Sequence, residues 1–430
     1  MRHQDFCAID FGTSNSAVAL PQHPSNSPAK KSLRLAELEP GFTSMPTAVF
    51  YNVEDGTRCY GREAVAAYVD GYDGRLMRSI KSILGSDLIE TSTEIGHGQA
   101  VKYMDVVTAY LRHLKQVAER QSAGKITRVV MGRPVYFVDG DDVRDKKAED
   151  ALKMAALAAG FTDIAFQFEP IAAALDYEST IDREQLVLIA DIGGGTSDFS
   201  IVRVGPKQCE KLDRKPDILA NHGIHVAGTD FDFAVNLAAI MPHLGLGSLG
   251  PSHQGARKVP SSVYFDLATW HLINTVYAHN RVAELREMTA MYADQLRYRR
   301  LMHVISRQLG HELAATAETI KIDVSTTGRA DVALANVEEN LSVSFSETHQ
   351  TEALGSKIEK IAAAARETVC MAGVAPDAIN AIYFTGGSTG LMSLNDAIAA
   401  SFPDAKKATG DRFASVATGL GIYAARLFGH

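Results

Sequence analysis

The sequence predicts an α/β protein of two similar lobes, and three observations carry that expectation. A short unit of strand, Asp, glycine turn, Thr and strand occurs twice, at Phe6 to Val18 and at Leu186 to Val202. Apolar, partly β-branched runs of strand length alternate with helical periodicities over most of the chain. A length of 430 residues leaves room for two to four subdomains and a large core. A duplicated unit implies two similar lobes, and a cleft between lobes is where ligands usually sit.

The central copy reads LVLIADIGGGTSDFSIV from Leu186 to Val202. Gly193, Gly194 and Gly195 lack Cβ, so the backbone can bend through φ > 0 and lie close against a ligand whose oxygens accept the turn's N–H groups. Asp191, at the end of the first strand, would repel a bare phosphate unless a hard cation such as magnesium lay between. With Thr196 the stretch reads as a metal-nucleotide hairpin, although a plain tight hairpin accounts for it taken alone. The N-terminal copy repeats it with a turn shorter by two glycines: Asp10 answers Asp191, Thr13 answers Thr196 and Ser14 answers Ser197. Two such hairpins face to face could hold one triphosphate from both sides.

Composition excludes several classes. Hydrophobic residues make up 46% and charged residues 22%, ordinary globular usage. Lys plus Arg number 43 against 51 Asp plus Glu, a net of −8, so neither nucleic acid nor an anionic membrane is an expected partner. Cys7, Cys59, Cys209 and Cys370 are scattered without a CxxC, which argues for reduced thiols in a cytoplasm and against structural zinc. No apolar run reaches transmembrane length, and the first strand begins within a few residues of Met1, so no signal peptide is expected.

Along the chain, Pro21 to Pro28 is a polar loop, Ser44 to Tyr51 a strand, and Cys59 to Ala64 a helix start after a turn at Gly56. Met77 to Gly85 is a short basic segment that reads most simply as a solvated helix end. Met104 to Glu119 is an amphipathic helix, and Lys125 to Phe137 a buried strand interrupted by Arg133 and Pro134. Val143 to Ala159 is helical. Phe166 to Pro170 then delivers Glu169 at a strand end, where open α/β sheets place chemistry, although a helix N-terminus favours such an acid anyway.

After the central hairpin come a strand from Ile218, a helix from Asp230, and an irregular Met241 to Pro260. Ser262 to Leu309 is helical, with a basic cluster at Arg297, Arg299 and Arg300. Leu309 to Ile322 carries Glu318 and Lys321 on one face. Strands near Asp331 and Leu341, the helix Thr348 to Met371, the strand Ala381 to Thr385, a turn at Gly386 to Gly390 and further helices complete the chain.

Three motifs are set aside. Gly245, Gly247 and Gly250 spell GxGxxG, but a helix precedes and a polar loop follows. Gly386, Ser388 and Gly390 spell GxSxG, yet the only later histidine is His430. His311 and Glu312 begin HExxH, but position 315 is Ala. No GxxxxGK[ST] occurs, so a nucleotide site here is not a P-loop.

IDFGTSNS, DIGGGTSDFSI and FTGGSTG, with Lys81, Pro134 and Glu169 in order between them, resemble the ATPase domain of the seventy-kilodalton heat-shock chaperones, within the actin-like and sugar-kinase superfamily. The chain is most similar to short YegD-type members, since it stops about where that domain ends, and no peptide-binding domain is expected. The resemblance implies a two-lobed actin-like fold of duplicated ribonuclease-H-like domains around a nucleotide cleft. Lobe I would be residues 1–183, with core 1–38 and 103–183 and small subdomain 39–102. Lobe II would be 184–430, with core 184–227 and 310–430 and a helical subdomain 228–309.

It implies a slow magnesium-dependent ATPase in which Asp10 and Asp191 hold hydrated magnesium, while Gly12, Thr13, Ser14, Asn15 and Gly193 to Thr196 cradle the phosphates. Lys81 would position the attacking water and offset γ-phosphoryl charge, Glu169 would orient the same water, and Thr196 would lie beside the γ-phosphate. Gly228, Thr229, Glu318, Lys321, Ser325, Gly386, Gly387 and Ser388 would enclose the adenosine of ATP or ADP, and Pro134 with Arg144 would match a proline switch and its relay arginine.

The chain departs from the family at Gly390, where an arginine usually stacks on adenine, and at Ile322, which is basic in some members. Such a stack contributes roughly 1–2 kcal/mol when desolvated. Two extra residues separate Pro134 from Arg144, and Met241 to Leu309 follows its own pattern. Clients or co-chaperones in trans are the implied protein partners. A small-molecule phosphotransferase of the same fold and a nucleotide-dependent filament or scaffold stay open as alternatives.

Overall fold

The computed structural model describes residues 5–22, 33–122, 124–138, 140–178, 180–251, 257–411 and 414–429. Most of the expected polar loop from Pro21 to Pro28 lies outside them. The chain forms two compact units, one of residues 1–225, 363–389 and 398–430, the other of 226–362 and 390–397. The expected lobe boundary at 183/184 falls inside the first unit.

The α/β class is observed, and the first unit contains the duplication. Its larger sheet runs Asp163–Phe168, Arg128–Arg133, Phe6–Phe11, Asn15–Pro21 and Leu33–Leu35, with Ser44–Pro46 also paired to Asn15–Pro21. Its second sheet runs Lys406–Thr409, Ala381–Thr385, Gln185–Ile192, Ser197–Val204 and Ile218–Ile224. In both, the first arm of an antiparallel hairpin lies parallel to its outer neighbour, which is parallel to the next strand out. The two sheets therefore repeat one strand order.

Strand period 2 explains the layers. Cys7, Ile9 and Phe11 face a core that includes Val107, Leu111 and Leu114 of the helix Tyr103–Ser122 and Leu152 of the helix Asp142–Ala158. Phe6 and Ala8, from the opposite face, share a second core with Val187 and Ile189 of the other sheet. Ala172 and Leu175 of the helix Glu169–Glu178 and Leu420 and Ala424 of the helix Ser415–Phe428 fill that layer. At one end of this layer Arg214 is fully buried, pairing with Glu178 at 2.7 Å and Asp217 at 2.7 Å.

Three expectations are refined. The predicted strand Ser44 to Tyr51 is broken at Thr47. Ser44–Pro46 pairs with the first hairpin, whereas Ala48–Asn52 pairs with Arg58–Tyr60 and Gly74–Arg78. The helix expected from Cys59 begins at Gly61. Ser262 to Leu309 is several short helices, Ser262–Ala268, Ile273–Val276, His279–Glu287 and Gln295–Ser306 among them.

The second unit packs Phe231 and Val235 of the helix Gly228–Val235 and Leu313, Ala317 and Ile320 of the helix Gly310–Thr327 into its interior. It also holds the two-stranded sheet Arg329–Ala333 with Ser342–Ser346. Among the described residues no helix is long and apolar enough to cross a membrane.

Candidate functional site

Both hairpins belong to the first unit, and their turns converge. A Cβ built on Gly194 would lie 2.6 Å from Ser14 Oγ, so glycine is what lets the two turns approach. The register pairs Phe11 with Ser16 and Ile192 with Ser197, so both turns contain four residues. This corrects the expectation of a first turn shorter by two glycines: the turns differ in glycine content rather than length, and by register Asn15 answers Thr196 and Thr13 answers Gly194. The freedom to adopt φ > 0 is not used. None of Gly193, Gly194 and Gly195 is in the left-handed region, and the central turn is closed by Gly193 N–H donating to Thr196 O at 3.0 Å. The absent side chains serve close approach there instead of an unusual dihedral.

The third glycine turn abuts the central hairpin. Ser388 Oγ donates to Gly193 O at 2.7 Å, which commits the hydroxyl of the GxSxG match to a backbone carbonyl. Gly386 has φ +87°, and a Cβ there would lie 2.5 Å from Ile192 O and 2.6 Å from Asp191 Oδ1. This position requires glycine on both counts.

Lys81 and Glu169 meet in this unit. Lys81 Nζ donates to Glu169 Oε1 at 2.6 Å, with side-chain exposures of 8% and 18%. The segment Met77 to Gly85, which reads in sequence as a solvated helix end, is the last part of the strand Gly74–Arg78 followed by a single 3-10 turn, Ile80–Ile83, that turns Lys81 inward. Ser79 enters that turn with φ 54°, a conformation costly for a side-chain-bearing residue and held by the surrounding structure. Glu169 opens the helix Glu169–Glu178 directly after the strand Asp163–Phe168, so the strand-end and helix-start readings describe one position.

Four carboxylates surround one ammonium. Burial and then the Glu169 charge push Asp10 up to about 7, against the opposing pull of Lys81. Burial followed by Asp198, Glu169 and Asp10 pushes Asp191 up to about 8. Burial alone would depress the Lys81 ammonium, but Glu169, Asp10 and Asp198 outweigh it and raise its pKa. No cluster of three or more His, Cys, Asp or Glu with metal-holding geometry exists among the described residues.

In the second unit Gly228 and Thr229 open the helix Gly228–Val235, and Glu318, Lys321 and Ser325 lie on Gly310–Thr327. Lys321 Nζ pairs with Asp232 at 2.6 Å. Ser325 Oγ donates to Lys321 O at 2.7 Å and accepts from Gln350 Nε2 at 3.2 Å. Glu318 and Ile322 are exposed.

Comparison with known proteins follows the same residues. A family model described as Hsp70 protein matches residues 7–239, more than half of the chain and inclusive of both hairpins, Lys81 and Glu169. The chain belongs to the Hsp70 family. Its α/β architecture is consistent with the actin-like ATPase fold expected for that family. Chaperone protein DnaK of Mycoplasmopsis pulmonis is 28% identical over 55% of this chain and 35% of its own length. Chaperone protein DnaK of Thermosipho melanesiensis is 31% identical over 52% of this chain and 34% of its own. The chain thus spans about a third of the length of these curated relatives. The Hsp70 match ends before Glu318, Lys321, Ser325 and the turn Gly386 to Ser388.

Two residues of this candidate region escaped sequence reasoning. Asp198 lies directly opposite Asp191 on the hairpin ladder, where the first hairpin has Ala17 opposite Asp10. Like charges in that relation are destabilising unless something holds them, so the DxxxxxxD spacing across a four-residue turn is a signal that could have been read. Thr47 is buried and braces the first turn: its Oγ1 donates to Gly12 O at 2.8 Å, its N–H donates to Ser14 O at 2.9 Å, and it shares a 2.9 Å bond with Ser16 Oγ. No motif marks Thr47, because its role depends on the strand break.

Proposed function

We propose that this chain binds ATP and hydrolyses it slowly with magnesium, its output being a chaperone-type nucleotide switch. The observation that carries the reading is the 2.6 Å pair of Lys81 and Glu169 set among Asp10, Asp191 and Asp198 in the unit where two glycine turns converge. Hydrolysis of a phosphoanhydride needs chiefly positioning and charge neutralisation, and those residue types supply both.

The residues fit a hard divalent cation, since oxygen donors in excess of positive charge are what such an ion requires. Asp10 and Asp191 are the residues assigned to hold it through water. Bound there, magnesium supplies charge neutralisation to the phosphates. Gly12, Thr13, Ser14, Asn15 and Gly193 to Thr196 bind the phosphate oxygens in this reading, and Thr196 is beside the γ-phosphate. Lys81 offsets charge on the transferred phosphoryl group, and Glu169 holds Lys81 and orients the attacking water. Gly386, Gly387 and Ser388 of the first unit are assigned to the adenosine. Clients or co-chaperones acting in trans in a cytoplasm are the matching partners.

The test is single-turnover phosphate release from magnesium-ATP, wild type beside Lys81→Ala, with nucleotide binding followed in the same samples. Release lost in the variant with binding retained is the expected result. Equal release in both proteins would remove Lys81 from the reaction. Binding without release in the wild type would replace the reading with a nucleotide-held scaffold or a phosphotransferase lacking its acceptor.

A further inference from the structure

The geometry points to Arg133 as a positioning residue that ties the Lys81 and Glu169 pair to the helix Asp142–Ala158, an inference resting on the ATPase reading above. Arg133 is the last residue of the strand Arg128–Arg133, and its side chain is only 12% exposed. Its Nε donates to Pro134 O at 3.0 Å and its Nη2 to Val135 O at 3.1 Å, so the cation folds back onto the turn that ends its own strand. The same Nη2 donates to Asp145 Oδ2 at 2.8 Å, and Nη1 bonds Glu149. Asp145 and Glu149 are four residues apart on one helix face, and both are largely buried, at 16% and 19%. The guanidinium also lies over Phe137 at 5.3 Å and Phe168 at 5.2 Å.

Phe168 is the link to the reacting groups. It is the ladder partner of Arg133, and its peptide leads directly into Glu169. On the other side Gly132, the neighbour of Arg133, lies under the Glu169 side chain: a Cβ there would be 3.2 Å from Glu169 Cγ and 3.4 Å from Oε1. Arg133 therefore fixes the backbone on both flanks of Glu169 while touching neither Glu169 nor Lys81. Arg144, the arginine that the sequence offers as a relay, is instead half-exposed in a 3.7 Å pair with Asp141.

Guanidinium geometry is what the position needs. A planar fork can serve two carboxylates and two carbonyls at once and still stack on rings, whereas a lysine ammonium is a point charge. Replacing Arg133 by a neutral side chain removes the cation that Asp145 and Glu149 share, leaving Glu149 with Lys146 at 2.9 Å and Asp145 without its ion pair in a half-dry site. The end of the strand and the Phe168 to Glu169 peptide then lose their common anchor, and displacement of about 1 Å at a positioned group costs on the order of 100-fold in rate.

The experiment compares wild type, Arg133→Met, Arg133→Lys and the double variant Asp145→Asn, Glu149→Gln in the full chain. Each is assayed for single-turnover phosphate release, for binding of magnesium-ADP, and for amide exchange over residues 166–171 and 142–149. The expected result is a loss of release of at least tenfold in Arg133→Met and in the double variant, partial recovery in Arg133→Lys, and an ADP dissociation constant within about threefold of wild type. Amide exchange should rise in both segments together. Release at the wild-type rate in a folded Arg133→Met protein, or loss of ADP binding in parallel with release, would overturn the assignment. If the wild type itself releases no phosphate, the ATPase reading fails, and the exchange data still decide Arg133: unchanged exchange over 166–171 in both variants would overturn the coupling.

Discussion

Gly386→Ala tests the site where steric and conformational demands coincide. The φ of +87° puts this residue where an L side chain is strained, at a cost of about 1–2 kcal/mol. The added methyl would also lie 2.5 Å from Ile192 O and 2.6 Å from Asp191 Oδ1. With carbon contacts ordinarily near 3.4 Å or more, about 0.8 Å of movement is required. The strands Gln185–Ile192 and Ala381–Thr385 are paired in register up to Asp191 and Thr385, so the backbone clash with Ile192 O has little room to relax, and the Asp191 carboxylate must move as well. Overpacking of this kind adds roughly 1–3 kcal/mol, for a total near 2–5 kcal/mol. Gly195→Ala is the internal control: a Cβ there has nothing within 4 Å and no left-handed φ, so its stability should change by less than about 0.5 kcal/mol. Denaturant titration of both variants, with magnesium-ATP turnover measured alongside, gives the comparison. Equal stability of Gly386→Ala and wild type, or equal destabilisation by the two substitutions, would refute the argument.

Further predictions come from the same geometry. Thr47→Val removes a buried hydroxyl while keeping shape, leaves Gly12 O and Ser16 Oγ short of a partner, and should cost about 1–3 kcal/mol with weaker nucleotide binding. Thr47→Ser should restore both in thermal melts and binding titrations. Arg214→Met leaves Glu178 a buried charge without its cation and Asp217 with only Lys211 at 3.4 Å, and should lower stability by about 3–5 kcal/mol in denaturant titration.

Asp10 and Asp191, at about 7 and about 8, bind protons in the folded protein that their unfolded counterparts, at 3.8, have already released. In the metal-free protein these two groups therefore reduce stability progressively as pH rises from about 4 to about 8. A magnesium ion competes with those protons, so its stabilising increment in thermal melts should grow between pH 6 and pH 9. An increment that stays flat or shrinks would contradict the assignment of both carboxylates to the cation.

The strands that carry Asp10 and Asp191 were legible because a β-strand buried on both faces is written as a continuous apolar run, and the glycine turns punctuate it. The duplication was legible for the same reason. Glu169 could be placed at an element junction from the Glu-Pro step, because proline is tolerated in the first turn of a helix. What local sequence does not encode is direction in space. Lys81 reads as a solvated cation in its own segment, and only the 3-10 turn after Ser79 brings it to Glu169, 88 positions away in sequence.

The length of the first turn, too, was decided by ladder register, since glycine content says nothing about how many residues remain unpaired. By itself, then, the sequence determined the α/β class and the repeated hairpin, both of which rest on local patterning. Only the tertiary structure decided that Lys81 is buried, that Thr47 braces the first turn and that Arg133 serves two carboxylates of a helix. Each of those depends on contacts between distant segments, and a linear pattern carries no measure of that distance.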